Sequence, residues 1–149
     1  EAMVKLGETG YIEGIRAALF PATPEELESM ALAVQIIGEL RDRGSISQLI
    51  NMSEYRNQTN QYYPAEVRLG IASSLAKMGK DQGGFIADEY QQSTIVVVRS
   101  QAAITYGFTG RSEHAEKLAL LMQDPEALVQ IHAAAGLLKV YTTTMGENR

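Results

Sequence analysis

His114 and His132 are the chain's two imidazoles, and it has no cysteine. Neither histidine belongs to a His-Glu pair or an HExxH spacing, so neither begins a metal site. Without thiols there is no disulfide framework, thiolate zinc site or thiol nucleophile. No nucleophile elbow, P-loop or glycine-rich dinucleotide fingerprint occurs either, and Gly83-Gly84 reads as a turn. The sequence therefore predicts no catalytic residue, metal or cofactor, and what remains is recognition chemistry. Arg68 and Arg99 suit either an anion or a structural tie. Arg68 favours the tie, because it projects into an apolar arc where an unpaired guanidinium is costly. Tyr55, Arg56, Tyr62 and Tyr63 belong to the stretch EYRNQTNQYY, which has the composition of an adaptable binding surface. It is equally the composition of a solvated loop whose tyrosines pack on their own element.

These side chains are positioned by helices. Over Pro64 to Lys80, Val67, Ile71, Ala72, Leu75, Ala76 and Met78 fall on one broad arc at helical spacing, which suits burial against two neighbours. Pro64 fits the first turn, and Gly79 and Gly83 act as stop signals. The pattern recurs. Gly7, Gly38, Ala76, Gly107 and Leu138 align at spacings of 31, 38, 31 and 31 residues, each preceded by a large apolar residue. Each interval carries two helical stretches, the signature of an α-solenoid. The second helices are expected to end near Gly7, Arg41, Gly79, Gly110 and Tyr141. Thr23 is expected to cap the one that opens PEE, and the tail TTTMGENR is expected to fray. Residues 54–63 absorb the seven extra residues of the long interval as an insertion loop. Thr94 to Val98, TIVVV, has strand propensity, but the register makes it helical.

The runs VRLGIASSLAKMG, VRSQAAITYGFTG and DPEALVQIHAAAGLL resemble the second helices of HEAT repeats, especially the short type named after phycobilisome lyases. The resemblance covers nearly the whole chain. It implies an all-α, right-handed α-solenoid of about five HEAT-like hairpins, the first partial, in a single domain over 1–149. In that family an Asp before the second helix and an Arg in its first turn form a ladder between repeats. Arg68, Arg99 and Asp124 match those places, whereas Met30, Gln130 and Ser93 depart from the pattern. Enzymes on related repeats use His-Glu pairs for di-iron, as in deoxyhypusine hydroxylase, or a basic, tryptophan-bearing concave surface, as in DNA glycosylases. This chain has neither.

Composition narrows the partners. With 45% hydrophobic and 21% charged residues the chain is of ordinary globular type, and a formal charge of −5 argues against a general nucleic-acid binder. No apolar run is long enough to span a bilayer. The chain starts in mid-helix, so the expectation is a piece of a longer protein; the absence of a leader pattern then says little about compartment, with cytoplasmic slightly favoured over periplasmic or secreted.

Transferring the polar arc of Pro64 to Lys80 to the other repeats gives an exposed row on the concave face. It comprises Glu28, Leu32, Gln35, Ile36 and Glu39; Glu66, Ser73, Ser74 and Lys77; Val97, Gln101, Ile104, Thr105 and Phe108; and Leu128, His132 and Lys139. Val97, Ile104 and Phe108 are apolar where the preceding repeat is polar, so that patch either binds a partner or is covered by a neighbouring element, with binding the favoured expectation. The expected function is a non-enzymatic scaffold that binds a protein or peptide there through Val97, Gln101, Ile104, Thr105, Phe108, His132, Lys139 and Lys77. Tyr55, Arg56, Tyr62 and Tyr63 offer a second contact. The alternative implied by the resemblance is a chromophore lyase or chromophore-handling protein.

Overall fold

The computed structural model describes residues 10–20, 23 and 26–147, and their regular structure is entirely helical. The chain runs α1 (Gly10–Ala17), α2 (Leu27–Leu40), α3 (Ile46–Glu54), α4 (Ala65–Lys77), α5 (Gln82–Tyr90), α6 (Val96–Thr109), α7 (Ala115–Leu121) and α8 (Ala127–Glu147), with 3-10 turns leading into α3 and α7. The expected first partial repeat, with Gly7, lies outside the described residues, as do Pro24 and Glu25 of the expected cap. Helix α2 itself starts at Leu27 with no side-chain cap. None of these helices is long and apolar enough to cross a membrane.

Long and short helices alternate. The four long ones pack in sequence, α2 on α4, α4 on α6 and α6 on α8, while α1, α3, α5 and α7 each pack on the long helix that follows. Helix α5 also packs on α4, closing the seam between two hairpins. The helix ends follow from backbone chemistry. Arg41 adopts φ 51°, and Arg41 N–H and Asp42 N–H donate to the carbonyls of Gly38 and Ile37, the bond pair of a Schellman cap. Gly79 at φ 75° ends α4 in the same way, its N–H and that of Lys80 bonding Ala76 and Leu75, and Gly110 at φ 65° ends α6. Pro64 is the N-cap rather than part of the first turn.

Helix α4 is shared between two cores, as its wide apolar arc demands. Val67, Ile71 and Leu75 join Met30, Val34, Ile37, Leu49 and Met52 on one side. Leu69 joins Ala87, Val98, Ala102, Tyr106, Leu118, Val129 and Ala133 on the other. Burying such side chains contributes about 1.5–3 kcal/mol each, which overrides the strand propensity of TIVVV: the helix begins at Val96.

Two local expectations are corrected. Gly83 and Gly84 are not a turn but lie inside α5, buried, because neither has room for a Cβ: one on Gly83 would stand 2.9 Å from the Ala76 Cβ of α4, and one on Gly84 would run into the His114 ring. The tail is helical to Glu147, with the Thr142, Thr143 and Thr144 hydroxyls donating back to carbonyls one turn earlier.

Candidate functional site

Successive long helices present one face to a common groove of about 260 Å³. Its apolar lining comes from Leu32 and Ile36 of α2, Leu69 of α4, and Ile104 and Phe108 of α6. Polar groups line it as well: Gln35 and Glu39 of α2, Glu66, Ser73 and Lys77 of the middle helix α4, and Gln101 of α6. Residues of three helices that are far apart in sequence thus line one groove. The Gln101 carboxamide oxygen is buried without a partner among the described residues, leaving an acceptor in the groove wall.

Phe108 is half-buried at the end where the groove opens into a second, polar basin of about 380 Å³. Two ammonium groups stand over its ring, Lys139 Nζ at 3.7 Å and Lys77 Nζ at 4.4 Å from the centroid. Each such contact contributes about 0.5–1 kcal/mol where solvent still reaches it. Lys77 also donates to Glu39 at 2.5 Å, tying α4 to α2. Arg41, at the end of α2, completes the basin with Lys139 and Thr143 of α8.

Three residues of the expected row do not face a partner. Thr105 is fully buried, its hydroxyl 2.7 Å from the Ser73 hydroxyl and donating to the Gln101 carbonyl, so it joins α4 to α6. Ser74 is buried and donates to the Val34 carbonyl at 2.8 Å, joining α4 to α2. His132 is partly buried, its Nδ1 in a short hydrogen bond with the Ser100 hydroxyl, joining α8 to α6. Val97 and Leu128 are exposed near the starts of their helices but do not line the groove.

The arginines tie hairpins together. Arg99 makes a two-pronged contact with Asp124, Nε and Nη2 donating at 2.6 and 2.9 Å, while Nη1 donates to the Ser93 carbonyl at 2.7 Å. Asp124 also accepts from the Glu126 N–H at the start of α8. The hydrogen bonds from Arg99 hold its carboxyl below the usual carboxylate range. Arg68 is 2% exposed and pairs with Glu89 at 2.6 Å and the Tyr90 hydroxyl at 3.0 Å. Its partners sit on α5 of the following hairpin, where a glutamate and a tyrosine stand in for the Asp of an Arg-Asp ladder. A third tie of the same kind escaped the sequence reading: Arg16 of α1 to Asp42, at 2.9 and 2.7 Å.

The insertion is a self-bonded loop. The Asn57 carboxamide oxygen accepts from the Thr59 N–H and hydroxyl and from the Gln61 N–H, and Asn60 adopts φ 60°. The Arg56 and Arg68 guanidinium groups both stand 3.9 Å from the Tyr62 ring centre, and Arg56 donates to the Tyr62 hydroxyl at 2.6 Å. Tyr63 packs on the first core with its ring 5.3 Å from Tyr55. Most of the loop's recognition chemistry is therefore engaged within the chain.

Near α7, Tyr106 donates to Asp88 at 2.6 Å, Lys117 donates to the same oxygen at 2.5 Å, and the Thr109 hydroxyl meets His114 Nδ1 at 2.6 Å. Burial lowers the His114 pKa, and burial raises that of Tyr106. These side chains tie α5, α6 and α7 to one another. A further cleft of about 570 Å³ between α7 and α8 is lined by Met122, Leu137, Leu138, Tyr141 and other mostly apolar residues, with no charged group to orient an occupant. No group of three or more potential metal ligands occurs among the described residues. No family model and no curated protein sequence matches the chain.

Proposed function

We propose that the chain is a HEAT-like scaffold whose hairpins form a right-handed α-solenoid, and that it binds a protein segment in the groove on its concave, second-helix face. The reading is supported by the repeat register and by the ordered packing of α2, α4, α6 and α8. The observation that carries it is the groove itself. Apolar groups from two long helices, Leu32 and Ile36 of α2 and Ile104 and Phe108 of α6, line it on either side of the polar Glu66, Ser73 and Lys77 of α4. That is the arrangement by which a few anchors supply affinity and their surroundings exclude water and set orientation.

The test is site-specific photo-crosslinking in the full-length protein. A crosslinking residue in place of Gln101 captures the partner, and one in place of the outer-layer residue Phe85, which is 67% exposed, does not. Capture from position 85 alone would refute the groove.

A further inference from the structure

The charge around the groove is uneven, and the unevenness says what kind of segment fits. Arg41, Lys77 and Lys139 converge on the basin beside Phe108, with Glu39 its one carboxylate. Glu39 is engaged by Lys77. Neither Arg41 nor Lys139 has an ion-pair partner among the described residues. The carbonyl ends of α2, α4 and α6 offset part of this charge, but each carries only about half a charge that fades within a turn. A chain of net charge −5 thus concentrates positive charge at one end of its apolar groove.

We propose that the groove takes an extended peptide segment in which a carboxylate lies beside large apolar side chains, the carboxylate seated between Arg41 and Lys139 and the apolar side chains on Phe108, Ile104 and Ile36. This rests on the groove being the binding face. Phe108 and Lys77 line both the apolar groove and the basin, so the two form one continuous surface. Apolar and anionic groups must therefore be neighbours in the occupant. Burial, with the nearby charges of Lys77 and Arg41, holds the Lys139 ammonium below the ordinary lysine range against the pull of Glu39. An incoming carboxylate relieves that repulsion, whereas a basic segment adds to it. A carboxylate also fits a guanidinium and an ammonium better than bare cation clustering does, since both donate charge-assisted hydrogen bonds. A nucleic-acid strand fits poorly. It needs a track of positive charge along its backbone, and here Glu66 lines the groove and Glu28 is exposed on α2, the helix that carries Leu32 and Ile36.

Random peptides displayed on phage are selected against the whole chain. Enriched peptides are then labelled and measured by fluorescence anisotropy against the wild type, Arg41→Asn, Lys139→Gln and Ile104→Ser. Asparagine tolerates the positive φ of position 41, and thermal melts confirm that each variant is folded. The expected peptides carry Asp or Glu next to Leu, Ile, Phe or Met. Removing either cation weakens them about tenfold, with affinity falling as salt rises. Replacing the peptide's acid by its amide gives the same loss and adds nothing on Lys139→Gln. Peptides that lose binding in Ile104→Ser but ignore both charge removals overturn this inference and leave the groove standing. Peptides indifferent to Ile104→Ser overturn both. Enrichment of no peptide overturns the inference too, and binding of a labelled single-stranded oligonucleotide through Arg41 and Lys139 would then replace the peptide.

Discussion

Gly107 of α6 and Gly136 of α8 meet so closely that a Cβ built on Gly107 would stand 2.6 Å from the Gly136 Cα. The clash is with backbone, which no rotamer change relieves. Gly107→Ala is expected to push α6 and α8 apart and cost about 1–3 kcal/mol in urea melts, as overpacking does. A melt indistinguishable from wild type would show that the seam has slack.

Arg68 and Arg99 are expected to act on stability and not on ligand binding. Replacing Arg68 with Met removes bonds to Glu89 and Tyr90, but Glu89 is half exposed and rehydrates, so the loss is about 1–3 kcal/mol. Replacing Arg99 with Met lowers the melting temperature by freeing α8 from the Asp124 tie, and Asp124→Asn on that background adds little. Loss of peptide affinity with an unchanged melt would show instead that these arginines contact the ligand.

What was legible in the sequence was the periodic part. A burial pattern recurring at spacings of 31 and 38 residues gave the helices and their order, and the transferred polar arc gave much of the groove lining from Leu32 to Phe108, since each of those residues is placed by its own helix. Contacts across seams were not legible. Thr105 sits on the groove side of α6, yet the Ser73 hydroxyl of α4 meets and buries it, and a helix drawn in isolation carries no information on that. Arg68 has the expected role with unexpected partners for the same reason. Glu89 and Tyr90 reach it only because α5 folds back on α4. Arg16 and Asp42 went unnoticed because their tie joins α1 to the turn before α3, outside the second-helix register. Gly83 and Gly84 misled because glycine serves close helix approach as well as turns.

Stability is expected to fall with acid in two stages. Burial first and then Lys117 lower the His114 pKa in the fold, so the unfolded chain takes up its proton near the ordinary value of about 6.5 and the fold only at lower pH. Stability therefore declines as pH drops below about 6.5. Asp42 and Asp124 are depressed chiefly by hydrogen bonds from Arg16 and Arg99, while at Asp88 bonds from Lys117 and Tyr106 outweigh burial. Their stabilisation is complete above the unfolded value of about 3.9 and is lost as pH falls through their lower folded values. Urea midpoints measured from about pH 8 to about pH 3 should show both stages, and His114→Gln should lack the first. A midpoint that rises on acidifying from neutrality would contradict the assignment.

The central claim, that the groove between α2 and α6 is the binding face, is tested most directly by the affinity of one bound peptide for Phe108→Ala, Ile104→Ser and the outer-layer control Phe85→Ser. Circular dichroism and melting temperature are measured alongside. The account predicts a loss of about 2 kcal/mol or more for Phe108→Ala, a comparable loss for Ile104→Ser and none for Phe85→Ser. Unchanged affinity in both groove variants, with their helical content intact, would contradict it.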